Sequence, residues 1–286
     1  MTPTAGGLRS RPAHRWLLRC GAAAGPLFIS VFTIEGARRA DYKPLRHPVS
    51  SLALGTRGWV QVVNFAATGM LYLAGAVGLS RASDSDGCGR LGPVALGLAG
   101  VGLLGSAAFR TDPVSGYPPG TLPTPTEPTA AGSLHTVAAL PIFLGIPAVA
   151  LASALRFHRV GRQGRALYSA ATSLSMLTGM RLFGAGFGQA SPRLTDHAGL
   201  FQRATIVSGF AWLTALSVRA LLQPPVTAET VRSLCREALC EDTSDPQTHH
   251  TPSTEALDRT GLHLSPASRG SCRTGHTLSS DRGGPA

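Results

Sequence analysis

The sequence predicts an all-α membrane protein: a bundle of six transmembrane helices with cytoplasmic termini, followed by a disordered C-terminal tail. Three observations carry this. Charged residues are only 14% of the 286 residues and hydrophobic ones 43%, against about 25% charged in a soluble domain. The charges avoid six windows of roughly twenty residues, the length that crosses the hydrocarbon core of a bilayer. From Pro224 onward Ser, Thr, Pro, Gly and mixed charges take over with no apolar period, the composition of a chain that cannot bury enough apolar surface to fold.

In chain order, residues 1–15 read as a polar cytoplasmic arm with Arg9, Arg11 and Arg15. The transmembrane domain then covers 16–223. Its first span is about 16–34, with Arg19 able to snorkel to the interface. Glu35-Gly-Ala-Arg38-Arg39 follows where a signal peptide would show a small-residue cleavage site, so the span reads as uncleaved. His47-Pro48 through Gly55 fits a two-turn helix, with proline at its first position and glycine past its end, lying at the interface or dipping into the bundle mouth. Spans two and three are about 59–79 and 91–109. Span four, about 134–155, contains Pro141 and Pro147, which membrane helices accommodate as kinks when neighbours satisfy the freed carbonyls. Spans five and six are about 166–187 and 200–222. Ala95, Ala99, Gly102 and Ser106 in span three, and Gly184, Gly186 and Gly188 ending span five, read as close-packing faces. The tail, 224–286, has room for one short helix near 228–239.

Loop charge sets the orientation. The arm, the second loop (Arg81, Arg90) and the fourth loop (Arg156, Arg159, Arg162, Arg165) are basic, whereas the third and fifth loops carry only Arg110 and Arg193. Both termini therefore fall inside by the positive-inside rule. The first loop, with Arg38, Arg39, Lys43, Arg46 and Arg57, counts against it. Eight acidic residues face six arginines in the tail, so the first 223 residues hold a net +13 within the chain's net +11. Its arginines sit at the ends of apolar segments and form no stripe, which argues for topology-setting charge and against nucleic-acid binding. Cys20, Cys88, Cys235, Cys240 and Cys272 all fall on or near the cytosolic side and make no disulfide framework. Cys235 and Cys240 with His249 and His250 imitate a zinc site, but in polar low-complexity surroundings.

Under this topology a set of polar residues gathers at the extracytoplasmic face as a candidate polar pocket: Glu35, His47, Ser50, Ser51, Asn64, Asp112, His135, Arg181, Gln202 and Arg203. Ionisable groups within spans are costly and point to function or to a partner. For Arg181 the partner would be Glu35, Asp112 or Asp196. Asp112 beside His135 suits a metal ligand set, or a base held in one tautomer by its carboxylate, with His47 as a third ligand, zinc as the metal and Ser50 or Ser51 as a nucleophile. Structural roles compete: Asp112 before Pro113 starts a turn, His47 caps one, and His135 caps span four. Trp59 and Tyr117 read as interfacial anchors.

Several of these residues lie in motifs: His47-Pro-Val-Ser-Ser-Leu-Ala-Leu-Gly, Gly58-Trp-Val-Gln-Val-Val-Asn64-Phe, Asp112-Pro-Val-Ser-Gly-Tyr-Pro-Pro-Gly-Thr, Leu134-His135 and Gly199-Leu-Phe-Gln202-Arg203. In this order they resemble the bacterial membrane proteins grouped as the domain of unknown function (DUF) 998 family, over about residues 18–222. The resemblance implies an integral membrane protein of about six helices and brings no assigned activity.

The expected function is that of a multi-pass protein of the cell (plasma) membrane, with the lipid bilayer as its partner. It would bind or move a small solute or lipid through the polar pocket, without catalysis. The alternative is an intramembrane metallohydrolase using His47, Asp112 and His135; no HExxH or GxSxG motif supports it. A structural or assembly role in the membrane is a third reading. No inverted repeat marks a transporter.

Overall fold

The computed structural model describes residues 11–82, 89–122 and 127–223, with side chains from Arg15 onward. Cys88, Cys235, Cys240 and Cys272, the expected arm before Arg11 and the expected tail from Pro224 lie outside these residues. Helices dominate: α1 (Arg11–Ala37), α2 (Gly58–Arg81), α3 (Leu91–Ala108), α4 (Ala130–Leu140), α5 (Ile146–Arg159), α6 (Gln163–Phe187) and α7 (Pro192–Leu222). A π-helical turn, Pro141–Gly145, joins α4 to α5 into one continuous run. Among the described residues there are thus six long rods. Each packs on its sequence neighbours, and α7 returns to α1, so the rods close a ring.

Five of the rods are long and apolar enough to cross a membrane: Arg15–Ala37, Gly58–Arg81, Leu91–Ala108, Ala130–Arg159 and Pro192–Leu222. This makes the chain a multi-pass membrane protein. The exception is α6, where Ser, Thr, Gly, Arg165 and Arg181 dilute the apolar residues. Helix ends differ from the sequence expectation where polar residues extend a helix beyond its apolar core. Glu35 falls inside the last turn of α1. The last helix begins at Pro192 instead of 200, because Ser191 accepts the Leu194 N–H as N-cap and proline fits the first helical position.

The π turn falls where Pro141 removes a backbone N–H, the usual cause of a break in the helical ladder. Glycines set the closest helix approaches. A Cβ on Gly75 would lie 2.6 Å from the Gly21 Cα, and one on Gly69 would lie 2.9 Å from the Gly100 carbonyl. These contacts bring α1 onto α2 and α2 onto α3. Ala95, Ala99, Gly102 and Ser106 are buried as a packing face, with Gly102 against Ala138 and Ile142. The glycine run ending α6 divides instead. Gly186 packs on Leu194 and Ala198, whereas Gly184 has nothing within 4 Å of where its Cβ would be.

The first loop folds inward. Its expected two-turn helix is a five-residue 3₁₀ helix, Val49–Ala53, after Pro48, with Val49, Ser51, Leu52 and Ala53 buried. Gly55 then takes φ +74°, a left-handed conformation that favours glycine. Together with residues 109–121 this loop roofs one end of the ring, here called the capped end.

Candidate functional site

Two arginines pin the roof. Arg39 donates from Nε to Glu35 (3.0 Å), from Nη1 to the Leu54 carbonyl (2.9 Å) and to Tyr117 Oη (3.0 Å), and from Nη2 to the Arg57 carbonyl (2.8 Å). Glu35 also accepts two bonds from Arg57, at 2.9 and 2.8 Å. Arg203 reaches across from α7 to the carbonyls of Pro44, His47 and Gly199 and to Tyr42 Oη. Tyr42 Oη donates in turn to the Pro48 carbonyl at 2.9 Å. Arg46 pairs with Asp196 at 2.6 Å. Much of the first loop's positive charge is therefore engaged in holding the loop down.

The rings of Tyr42, His47 and Tyr117 pack on one another with centroids 5.1–5.5 Å apart. Tyr117 is buried in this cluster and is no interfacial anchor; Trp59 is exposed. The Nδ1 of His47 accepts the Lys43 N–H at 3.0 Å, and its other backbone partner is Ser115. Burial pulls its pKa down from 6.5 to about 4, opposed by the Ser115 bond and reinforced by Arg46, Lys43 and Arg203. His47 is thus a neutral clamp between the two roof loops. Burial also raises the Tyr42 pKa, against the pull of Arg203.

Asp112 and His135 meet separate partners. The Asp112 carboxylate accepts the Thr129 N–H (2.9 Å) and hydroxyl (2.6 Å), while Thr129, the N-cap of α4, accepts from Gly132 N–H. The carboxylate sits so close over α4 that a Cβ at Gly132 would lie 2.0 Å from it. A negative charge there also suits the helix N-terminus. His135 Nδ1–H donates to the Phe109 carbonyl at 2.9 Å. That bond satisfies the exposed C-terminus of α3, so His135 caps its neighbour and not its own helix. Among the described residues no three His, Cys, Asp or Glu side chains gather as a metal site.

The remaining candidates scatter. Asn64 is buried and donates to the Phe28 carbonyl (3.2 Å) and to Gln61 (3.3 Å), tying α2 to α1. Ser51 is fully buried and its hydroxyl has no partner. Arg181 has none of the three expected carboxylates: Glu35 and Asp196 pair with other arginines and Asp112 holds Thr129. Its side chain is exposed on α6, where it can snorkel toward the headgroups.

Beneath the roof lies a cavity of ≈ 330 Å³, at the lower end of the roughly 300–1,000 Å³ of ligand sites. Its walls are mainly apolar, with Phe28, Phe65, Phe143, Phe183, Phe187 and Phe210 converging from five of the rods. Ser50, Ser106, Thr111, His135, Thr136 and Gln202 supply the polar surface. Three of the ten candidates line it (Ser50, His135 and Gln202), while Glu35, His47, Asp112 and Arg203 hold the structure around it. Sequence reasoning missed Arg39, Tyr42, Tyr117 and the phenylalanines. For Arg39 a signal existed, its i,i+4 spacing from Glu35.

The family described as protein of unknown function (DUF998) matches residues 22–219. No curated protein and no solved structure matches the chain.

Proposed function

The chain belongs to the DUF998 family, and from that footing we propose that it binds a lipid-like amphipathic molecule in its roofed cavity without catalysing a reaction. The cavity would lie at the extracytoplasmic end of a six-span bundle in the cell membrane, with both termini in the cytoplasm. The observation that carries the reading is the cavity itself, an aromatic-walled space with a few polar groups close to its roof. Such a site buries a hydrocarbon body and orients a polar head. Its walls are more apolar than a pocket for a small polar solute requires. Binding is favoured over metal-assisted hydrolysis because His47 and Asp112 are engaged in bonds that hold loops and a helix end.

Lipid extraction of protein purified in mild detergent, followed by mass spectrometry, tests this. The wild type should carry a defined lipid near one per chain. Ala139→Trp, which fills the cavity from its wall, should lose it while remaining folded. Equal lipid content in the two proteins would overturn the proposal.

A further inference from the structure

We propose that the ligand of this cavity is an uncharged lipid with a hydrogen-bond-accepting head, and that it enters sideways from the bilayer between α4 and α6. This rests on the reading that the cavity binds a lipid-like molecule.

The route follows from the packing of the walls. In the α4–α5 rod, α4 packs on α3, and α5 carries the packing on α6. The rod is continuous through the π turn, but α4 itself packs little on α6. Leu140 and Leu144 on that side, and Phe187 on α6, line the cavity yet are 45%, 54% and 40% exposed. A wall residue open to the lipid side marks an opening. Gly184 stands in the same wall with no atom within 4 Å of its Cβ position. A bulkier residue there would fill the opening without displacing a neighbour.

The ligand class follows from charge. Among the described residues no Asp, Glu, Lys or Arg lines the cavity. The guanidinium groups nearest its roof, Arg39 and Arg203, spend their donors on carbonyls, tyrosines and Glu35. A phosphate or carboxylate entering here would lose its hydration and find no counter-charge, which disfavours it. Gln202 instead offers a neutral donor. Its Oε1 accepts the Val49 N–H at 2.7 Å, which leaves the amide nitrogen of this cavity-lining residue as the donor for a ligand. The Thr136 hydroxyl already donates to the Gly132 carbonyl, so toward a ligand it acts as an acceptor. An ester-bearing head with one hydroxyl, such as that of a diacylglycerol, matches both.

The test uses the full chain in nanodiscs with two photoreactive lipids of identical acyl chains, a diacylglycerol and a phosphatidic acid, and maps labelled residues by mass spectrometry. The diacylglycerol should label the cavity wall at least about tenfold more than the phosphatidic acid. Gly184→Phe should abolish that labelling, as should Leu144→Trp from the opposite side should the first variant fold poorly. Gln202→Glu keeps an acceptor for Val49 and loses the donor; it should reduce labelling about tenfold. Equal or stronger labelling by phosphatidic acid would overturn the uncharged class and leave the cavity reading standing. Cavity labelling that persists in both plugged variants would overturn the sideways route alone. Absence of cavity labelling by either lipid would overturn the inference together with the binding function beneath it.

Discussion

Replacing Glu35 by alanine should destabilise the protein far more than removing its exposed partner Arg57, although both form the same ion-pair network. The Glu35 and Arg39 side chains are 4% and 8% exposed, whereas that of Arg57 is 54% exposed. Glu35→Ala strands the buried Arg39 guanidinium without an anion, and breaking a buried pair this way costs about 3–5 kcal/mol. Arg39 keeps its bonds to Leu54, Tyr117 and Arg57, so the expected loss is at the lower end, about 3 kcal/mol. Arg57→Ala removes a largely solvated partner and should cost about 1 kcal/mol or less. The assay is reversible unfolding in detergent micelles, read by circular dichroism. At roughly 2–4 °C per kcal/mol for a chain of this size, the Tm of Glu35→Ala should drop by roughly 6–12 °C. The double variant Glu35→Ala/Arg39→Ala should cost less than the sum of the two singles by at least about 1 kcal/mol, because each single leaves the other charge unpaired. Equal losses for Glu35→Ala and Arg57→Ala, or additivity in the double variant, would refute the assignment of a buried pair at the roof.

Acid should loosen the roof through His47. Its pKa is about 4 in the fold against 6.5 in the unfolded chain, so the unfolded state binds more protons between these values. The contribution is complete above about 6.5 and is lost as pH falls toward 4. Wild-type Tm should therefore fall more steeply than that of His47→Gln over this window, and parallel curves would contradict a buried neutral imidazole. Glycine substitutions should sort by space: Gly184→Leu should leave Tm nearly unchanged, while Gly75→Leu, facing the Gly21 Cα at 2.6 Å, should prevent folding or lower Tm by more than 10 °C, roughly 3 kcal/mol or more on the same scale. Asp112→Ala should cost about 1–2 kcal/mol, as for a lost helix cap, and Thr129→Ala should add little on top of it; independent, additive losses would separate Asp112 from the start of α4.

The membrane-spanning character was legible because apolar runs of bilayer length need only composition to be seen. Helix ends were less so, since Pro192 to Gly199 is polar and only the Ser191-Pro192 cap signals that the helix has begun. The roof was half legible. Its polar residues stand in recognisable motifs, but the motif cannot say which partner each residue meets. Asp112 finds Thr129, and His135 finds the end of α3, through tertiary packing of loops that no local period encodes. The cavity was hidden for the same reason. Each phenylalanine looks like ordinary lipid-facing or core hydrocarbon along its own helix, and only closure of the ring turns Phe28, Phe65, Phe183 and Phe210 toward a common space.

The division between residues that hold the roof and residues that face the cavity has an energetic consequence that separates structure from function. A ligand that binds only the folded state adds stability that grows with its concentration, about 2.7 kcal/mol at a hundredfold excess over Kd. Arg39, Arg203 and His47 act on the fold whether or not the cavity is filled, so their variants should lower Tm by the same amount with and without lipid. Gln202 belongs to both, with its oxygen on Val49 and its side chain in the cavity wall. Gln202→Glu preserves the contact with Val49 and removes the amide donor. Its Tm without lipid should fall, because a carboxylate is buried there without a counter-charge, and the increase produced by added lipid should shrink as well. A variant of Arg39 that abolished the lipid-dependent increase while leaving the lipid-free Tm intact would reverse this division and place the ligand on the roof instead of beneath it.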